Sequence, residues 1–440
     1  MAAADNQGSL LRMGNKATPL RTQTLLWLTI CMAAASLLLY GFLTKTGHMT
    51  QASRDTWTCD QRYRHELQEL KSVAFRLQRE LQRLLSNNSN SPRRGEFRTN
   101  IMLLAYKRSG SSFVGQLLNQ HPDVMYLYEP LYFVKSLSER HPSAFRLLSH
   151  TLLSIIYTCN FQRHPYFVSQ LSDSPFRLYT RPLSDPPMCP ARISPDKIQD
   201  HCQRLYARTL RDICQSFRYI VVKSIRVESL ESLVEFKEFS IESPWTVFKV
   251  VHLVRDPRAI ISSRLRTETS TWTADNVKKH ARALCTRMLR NLQKGTAKHW
   301  TGNYHVIRYE DVAEDPEKAA KELYEYLRLS KTTRIRDWVT ANAHGKHNEN
   351  AFSTTKNATI AINTWRLTND LETIRVIEAE CSRVMMLLGY RRAGTGAEMR
   401  DLSRRMYDKN EGPSVFVTDI VHEAITQEDV TIEHDIHVTT

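Results

Sequence analysis

The sequence of 440 residues lacks the spacings of two common kinds of site. Its eight cysteines include no CxxC pair, and the histidines of the HGKH run at 344–347 have no cysteine or acid at a metal-site spacing. Zinc ligands come in such spacings, so we predict no metal. The GxxxxGK[ST] loop of nucleotide-binding P-loop proteins is also missing, which argues against phosphoryl transfer by that class.

Acidic residues are the minority among the charged residues. The chain has 46 Asp and Glu against 61 Lys and Arg, a formal net charge of +15. This excess favours an anionic partner, either nucleic acid, acidic lipid, a phosphorylated cofactor or an acidic polysaccharide. Charge alone does not choose among them, and a basic surface without a ligand stays open. With 41% hydrophobic and 24% charged residues, the composition is that of a globular protein.

One stretch near the N-terminus is long and apolar enough to cross a bilayer. Leu25–Leu43 carries no charge over 19 residues, close to the ~20 residues that a span needs. Arg12, Lys16 and Arg21 precede it, so the positive-inside rule places residues 1–24 in the cytosol and the rest in a lumen. This predicts a single-pass type II signal anchor. A cleaved signal peptide is the alternative.

Residues 44–98 are predicted to form a lumenal stem. Cys31 lies in the span, which leaves seven cysteines in an oxidising compartment, an odd number. At least one is therefore free or paired between chains, and Cys59 in the stem is our candidate. Apolar residues at heptad-like steps from Tyr63 to Leu84 indicate a short coiled coil, and together with Cys59 they favour a homodimer. A single amphipathic stem helix is the alternative.

The stem ends in a polar linker, SNNSNSPRR, at residues 86–94. Asn87 begins one N-glycosylation sequon in this linker, and Asn357 begins another further along the chain. Because the predicted topology places both asparagines in the lumen, we predict that both are glycosylated.

Beyond the linker, short apolar runs alternate with helical patterns. The predicted strands are Thr99–Tyr106, Val124–Tyr128, Tyr219–Ile225, Val247–Val254 and Tyr304–Tyr309. The alternation predicts an α/β fold, a mainly parallel sheet flanked by helices, with ligands at the carboxyl ends of the strands. Apolar periodicity fades after Leu388, so we place the folded domain at residues 99–390 and a peripheral tail at 391–440.

The turn after the first predicted strand has the features of an anion site. Gly110 permits a tight turn, and a helix is predicted to start at about Ser111, where backbone N–H groups and the helix dipole favour anions. Lys107 and Arg108 add positive charge. The candidate binding residues are Tyr106, Lys107, Arg108, Ser109, Gly110, Ser111 and Ser112. A merely structural turn is the alternative.

A second strand-to-helix turn follows Val247–Val254. Pro257 marks the first helical turn, with Asp256 near the N-cap. We expect two guanidinium groups and a hydroxyl to reach one phosphate. The candidate residues are Arg255, Asp256, Pro257, Arg258, Ala259, Ile260, Ile261, Ser262 and Ser263. Alternatively, Asp256 pairs with a nearby arginine in a surface turn. Two such sites suggest one ligand with two separated phosphates.

Taken together, these segments resemble the membrane-bound carbohydrate sulfotransferases, specifically the galactose/N-acetylgalactosamine/N-acetylglucosamine 6-O-sulfotransferase family. The matching motifs are YKRSGSSFVG at 106–115, YLYEPL at 126–131, LVRDPRAIISSR at 253–264, VIRYED at 306–311, STTKN at 353–357 and WR at 365–366. The resemblance covers residues 99–390 in order. The chain departs from the family pattern at Tyr106 and Lys107, at Tyr128 and at Thr364.

The resemblance implies a P-loop-like sulfotransferase fold and a Golgi enzyme. The donor would be 3′-phosphoadenylyl sulfate (PAPS), and the acceptor a sugar hydroxyl, most often C6 of galactose, N-acetylgalactosamine or N-acetylglucosamine. Acceptors in the family are keratan sulfate, chondroitin sulfate or sialylated glycans, with no nucleic acid involved. By the same resemblance, Arg108 and residues 109–112 would hold the 5′-phosphosulfate, and Arg255 and Ser263 the 3′-phosphate.

For the catalytic base we choose Glu129. It follows the predicted second strand, which ends at the same edge of the sheet as Gly110. Partial burial by Tyr128 and Pro130 would raise the pKa of its carboxyl group towards the working pH. A purely structural pairing with Arg108 or Lys107 is the alternative.

Three other functions remain open at the level of sequence. A lumenal nucleotide-dependent kinase or phosphatase on a related fold is disfavoured by the missing P-loop lysine. A non-catalytic membrane protein that binds acidic glycans would also explain the basic charge. Sulfation of protein tyrosine is a third, weaker alternative.

Overall fold

The computed structural model describes residues 97–135, 142–191, 193–242, 245–268, 272–330, 332–343 and 358–409. Outside these ranges lie the predicted span, the stem with Cys59, both sequon asparagines and the 353–357 motif. Within them, no helix has the length and apolar character needed to cross a membrane.

A five-stranded parallel sheet forms the centre of the fold, as predicted. Its order is β2-β3-β1-β4-β5, and every pairing is parallel. The strands are β1 (Arg98–Leu104), β2 (Val124–Tyr128), β3 (Tyr219–Ser224), β4 (Thr246–Val254) and β5 (Tyr304–Arg308). All five predicted strands are present, and their bounds differ from the prediction by no more than two residues.

The strands are continuous apolar runs because the sheet is covered on both faces. Ile101 and Leu103 of β1 pack into a core on one face, whereas Met102 and Leu104 pack into a core on the other. Side chains alternate between the faces of a strand, so a run buried on both sides has no polar alternation. This pattern made the strands recognisable in the sequence.

Helices cover both faces. The helices are α1 (Ser111–Asn119), α2 (Tyr132–Lys135), α3 (Pro142–Tyr157), α4 (Pro165–Asp173), α5 (Arg181–Ser184), α6 (Ile198–His201), α7 (Ala207–Gln215), α8 (Val234–Glu242), α9 (Pro257–Thr267), α10 (Ala274–Gly295), α11 (Tyr309–Glu314), α12 (Pro316–Leu327), α13 (Thr333–Ala343), α14 (Ala358–Thr368), α15 (Leu371–Leu387) and α16 (Gly396–Arg400). The first core contains residues of α1, α9, α10, α12 and α15, and the second contains residues of α3, α4 and α7.

Six of the eight cysteines form disulfides within the chain. The bonds are Cys159–Cys214, Cys189–Cys202 and Cys285–Cys381. The last joins α10 to α15 across 96 residues of sequence. Disulfides persist in oxidising compartments, and the lumenal location of the chain stays a prediction. Cys31 and Cys59 lie outside the described residues, and the pairing of Cys59 between chains stays a prediction.

The described part of the predicted tail is not peripheral. Met399, Met406 and Tyr407 are buried in the first core, and Tyr390 forms a bridge with Tyr407. A capping box at Thr395 begins α16. The folded domain therefore extends to about residue 408, beyond the predicted boundary at 390. These side chains are too widely spaced in sequence to give the periodicity on which the boundary was based.

Candidate active site

The strand order creates a crevice at the carboxyl ends of β1 and β4. From β1 the chain moves to β2 on one side of the sheet, and from β4 it moves to β5 on the other side. Loops that leave neighbouring strands in opposite directions open a crevice, which is where ligands bind in sheets of this type. The two predicted anion turns follow β1 and β4. They therefore meet at this crevice.

The turn after β1 brings a helix N-terminus to the crevice. Gly110 adopts φ +87°, and α1 begins at the next residue with no side chain capping its N-terminus. A Cβ atom at Gly110 would lie 2.2 Å from the ring of Tyr309. Glycine is required here both by the positive φ and by this close approach. The first N–H groups of α1 are left for an anion.

Three of the predicted binding residues join the two turns. The Nε of Arg108 donates to the hydroxyl of Ser263 at 2.9 Å, and Nη1 of Arg255 donates to the carbonyl of Arg108 at 3.0 Å. Arg255 also stacks 4.4 Å from the centre of the Tyr309 ring. Its Nε is buried without a hydrogen-bond partner. An unsatisfied buried donor on a cation suits an anionic ligand.

Further arginines raise the positive potential at the crevice. Burial lowers the pKa of Arg108, and the charges of Arg255 and Arg266 lower it further. Arg266 has its own pKa lowered by burial and then by Arg255. Neighbouring arginines that lower one another's pKa are stabilised when an anion binds between them. Arg266 was not predicted, although its position one helical turn after Ser262 is a usable signal.

Ser262 lies behind this cluster rather than in it. Its hydroxyl accepts hydrogen bonds from Nη1 of Arg266 and from Nδ2 of Asn369, both at 2.7 Å. The hydroxyl therefore positions Arg266, and Ser263 is the serine that meets Arg108.

The prediction that Arg258 presents its guanidinium to a phosphate is wrong. Arg258 is 0% exposed, and its guanidinium forms ion pairs at 2.7 Å with Asp256 and with Glu378. Its Cζ also lies 4.2 Å from the ring centre of Trp365. The ion pair between Asp256 and an arginine exists, but it is buried rather than part of a surface turn. Arg258 fixes α9 to α15.

The remaining predicted residues of α9 also serve the fold. Asp256 caps the helix by accepting from the Arg258 N–H at 2.9 Å, and Pro257 is the first helical residue, as predicted. The side chains that follow are buried in the core and do not face a ligand, contrary to their place among the candidate binding residues. They are Ala259, Ile260 and Ile261.

Tyr106 is also misplaced among the predicted binding residues. Its side chain is buried, and its hydroxyl hydrogen-bonds with Nε2 of His252 at 2.7 Å and accepts from Nδ2 of Asn291 at 3.2 Å. Burial, followed by the charge of Arg287, lowers the pKa of His252 to about 3, so this histidine is neutral. Tyr106 supports the anion turn from behind, within the core.

The rest of the first turn holds its shape through local contacts. The hydroxyl of Ser109 accepts from the Tyr106 N–H at 3.3 Å, and Lys107 forms a surface ion pair with Glu268 at 2.9 Å. The hydroxyl of Ser112 lies 3.3 Å from that of Tyr128, at the end of β2. This last contact links the anion turn to the neighbouring Glu129.

Glu129 lies in a buried, positively charged environment. Its Oε1 accepts from Nζ of Lys223 at 2.7 Å and from the Ile225 N–H at 3.0 Å. Its Oε2 accepts from Nη1 of Arg226. Lys223 additionally lies 4.3 Å from the ring centre of Tyr128. The carboxylate therefore stands at the carboxyl ends of β2 and β3, on the same edge of the sheet as the anion turns.

Lys223 and Arg226 were missed in the sequence, although a signal was present for Lys223. Lys223 is the one charged residue in the apolar run YIVVKSI. A lysine in a strand that is buried on both faces requires a partner, because an unpaired buried charge is costly. The sequence indicates that a partner exists, but the pairing with Glu129, 94 residues away, is a property of the fold.

Two of these residues have a left-handed backbone conformation. Among the described residues other than glycine, four have positive φ: Arg108, Glu129, Cys159 and Arg328. Positive φ is unfavourable for side chains of this size, and such strain clusters at functional sites. Arg108 and Glu129, on the same edge of the sheet, are two of the four.

A basic, uncapped helix N-terminus and a buried carboxylate thus lie on the same edge of the sheet. The sulfotransferase domain profile matches residues 98–372, which include all five strands and both anion turns. The chain therefore belongs to the sulfotransferase family.

Within that family, the chain belongs with the carbohydrate sulfotransferases. It is 31% identical over 355 residues to carbohydrate sulfotransferase 1 of Danio rerio, a match covering 72% of this chain and 82% of that protein. It is 31% identical over 344 residues to carbohydrate sulfotransferase 6 of Homo sapiens, covering 71% and 86%. Among solved structures, the sulfotransferase domain of the Synechococcus PCC 7002 olefin synthase matches 66% of this chain and 98% of that chain, with 16% identity and a TM-score of 0.37.

Proposed function

We propose that this protein transfers a sulfuryl group from PAPS to the C6 hydroxyl of a galactose, N-acetylgalactosamine or N-acetylglucosamine residue in a glycan. The observation that carries the proposal is the junction of Arg108, Ser263 and Arg255 at the N-terminus of α1. The relatives named carbohydrate sulfotransferases support a sugar as the acceptor. Keratan sulfate, chondroitin sulfate and sialylated glycans are the acceptors to test.

The residues at the crevice fit a donor with two separated anionic groups. The uncapped N–H groups of α1 and the Arg108 side chain suit the 5′-phosphosulfate. Arg255, whose buried Nε lacks a partner, and Ser263 suit the 3′-phosphate. These two sets belong to different loops but are joined by the Arg108–Ser263 hydrogen bond. One ligand can therefore contact both.

PAPS would supply the sulfuryl group: the bond between sulfur and the acceptor oxygen would form, the bond between sulfur and the 5′-phosphate would break, and 3′,5′-ADP would leave. Glu129 acts as the base that accepts the proton of the attacking hydroxyl, and its Oε2 suits this role. Each carboxylate oxygen can accept two hydrogen bonds, and Arg226 is the one described partner of Oε2. Lys223 and the Ile225 N–H hold Oε1 and so fix the orientation of the carboxylate.

Arg108 stabilises the negative charge that develops as the bond between sulfur and the bridging oxygen breaks. Its guanidinium is held by Ser263 before the reaction, so little reorganisation is needed. Residues of the chain thus supply positioning and electrostatic stabilisation, the two terms that dominate related phosphoryl transfers.

The donor site is tested by binding of 3′,5′-ADP, the product formed from PAPS. We expect Arg108→Ala and Ser263→Ala to raise the Kd for 3′,5′-ADP, Arg108→Ala by about tenfold to a hundredfold because a charge-assisted hydrogen bond is lost. The measurement is isothermal titration calorimetry. Arg282→Ala is the matched control, since Arg282 forms an exposed ion pair with Glu380 on the surface. Unchanged Kd values for both site variants would contradict the proposal.

We also propose that the protein is a type II membrane protein of the Golgi. The support is the uncharged run Leu25–Leu43 with basic residues before it, together with the three disulfides. Homodimers through the stem and Cys59 remain part of this proposal. Glycosylation at Asn87 would show that the stem is in the lumen. An Asn87→Gln variant with the same mobility on a gel as the wild type would count against glycosylation at this position.

A further inference from the structure

A large aromatic side chain is exposed next to the candidate base. Tyr132 is 48% exposed, whereas its neighbour Phe133 is buried. Tyr132 begins α2, and its N–H donates to the carbonyl of Glu129 at 2.9 Å. The turn that places Glu129 at the carboxyl end of β2 therefore also places Tyr132 close to it, at the surface.

The ring of Tyr132 is held in position by two neighbours. The Cζ of Arg226 lies 5.1 Å from the ring centre, and the ring of Phe176 packs edge-on at 5.1 Å and 77°. The same Arg226 guanidinium donates to Oε2 of Glu129. One arginine thus spans the distance between the aromatic ring and the carboxylate. These contacts fix the position of the Tyr132 ring and its distance from the Glu129 carboxylate.

An exposed, fixed aromatic ring beside a cation suits a sugar. The faces of an aromatic ring carry partial negative charge and attract the slightly positive C–H groups on the flat side of a pyranose. A guanidinium alongside can donate hydrogen bonds to hydroxyl or sulfate oxygens. Tyrosine offers this contact at a low entropic cost, because few of its torsions must be fixed.

We propose that Tyr132 and Arg226 form the subsite for the accepting sugar, with the pyranose ring packed against Tyr132 and its hydroxyl directed to Glu129. The inference rests on the proposed function and deepens it. A C6 hydroxyl stands one carbon further from the ring than the other hydroxyls. A sugar on Tyr132 can therefore extend this group past Arg226 to the carboxylate. The subsite selects pyranoses that carry a primary hydroxyl.

The test separates the acceptor from the donor through their two KM values. With desulfated keratan sulfate as acceptor, we expect Tyr132→Ala to raise the KM for the glycan about tenfold. The KM for PAPS should stay within twofold, because the two anion turns follow β1 and β4, whereas Tyr132 follows β2. Tyr132→Phe and Tyr132→Trp retain the ring and should restore the glycan KM. Tyr166→Ala is the matched control, since Tyr166 is 53% exposed on α4.

Three results would overturn the subsite: an unchanged glycan KM in Tyr132→Ala, an equal rise of both KM values, or no rescue by phenylalanine and tryptophan. Direct titration of the wild type and Tyr132→Ala with desulfated keratan sulfate distinguishes this inference from the proposed function. Glycan binding that depends on Tyr132, without any sulfate transfer from PAPS, would support the subsite and contradict the proposed function. Binding that does not depend on Tyr132 contradicts the subsite whether or not transfer occurs.

Discussion

Glu129→Gln should lower kcat for sulfate transfer by about 10²–10⁴-fold, the contribution typical of a positioned acid or base. The amide keeps the size of the carboxyl group and can still accept from Lys223 or the Ile225 N–H, but it cannot take a proton from the acceptor. The Kd for 3′,5′-ADP should remain within twofold, because Glu129 is held by Lys223, the Ile225 N–H and Arg226, whereas the proposed donor contacts come from other residues. Steady-state kinetics and calorimetry measure the two quantities.

The control for Glu129→Gln is Glu231→Gln. Glu231 also pairs with a lysine, Lys294 at 2.7 Å, but both members of this pair are exposed on the surface. This variant should retain wild-type kcat. Because Lys223 loses a buried ionic partner in Glu129→Gln, the thermal midpoint of each variant is measured alongside. Wild-type kcat in a folded Glu129→Gln protein would remove Glu129 as the base and leave it as a structural partner of Lys223.

Arg258→Met should destabilise the fold by about 3–5 kcal/mol, the range for breaking a buried ion pair from one side. The substitution leaves Asp256 and Glu378 buried without their cation. Methionine fills much of the volume beside Trp365, so lost packing is a minor part of the effect. Denaturant unfolding followed by fluorescence measures the change.

The stability of Arg258→Met decides whether Arg258 is a buried structural ion-pair partner or a phosphate-binding residue. Arg282→Met removes an exposed arginine that also contacts a carboxylate, Glu380, and should leave the unfolding midpoint nearly unchanged. If Arg258→Met instead had wild-type stability and a raised Kd for 3′,5′-ADP, the sequence-based assignment of Arg258 to the phosphate site would be restored.

The sequence was sufficient for the sheet and for the location of the two strand-to-helix turns that follow β1 and β4. Both faces of the sheet are buried, so strands appear as uninterrupted apolar runs such as Val247–Val254, and the polar turns follow directly. Because parallel strands share one carboxyl edge, Arg108, Glu129 and Arg255 could be assigned to the same edge without coordinates.

The directions and partners of individual side chains could not be predicted in this way. Arg258 pairs with Glu378, 120 residues further along the chain, and no local pattern identifies that partner. Spacing suggested that Arg255 and Arg258 act together, but Arg255 precedes the helix and Arg258 lies within its first turn. The two guanidinium groups therefore point to different environments.

The same limit applies to the partners of Glu129, which could not be predicted from the sequence. Glu129 was chosen from its position after β2, but the identity of its partners depends on β3 lying beside β2 in the sheet. The chain order of the strands does not give this arrangement. The fold shows that Lys223 and Arg226 contact Glu129, and that Arg226 also contacts Tyr132.

Sulfation of a sugar at C6 is tested most directly by transfer of radiolabelled sulfate from PAPS to desulfated keratan sulfate and desulfated chondroitin by the purified protein, with the modified position mapped by NMR. We expect label in the glycan that depends on PAPS, attachment at C6, and loss of transfer in Glu129→Gln. No transfer to any glycan, attachment at a ring hydroxyl, or transfer of phosphate from ATP without PAPS would contradict it.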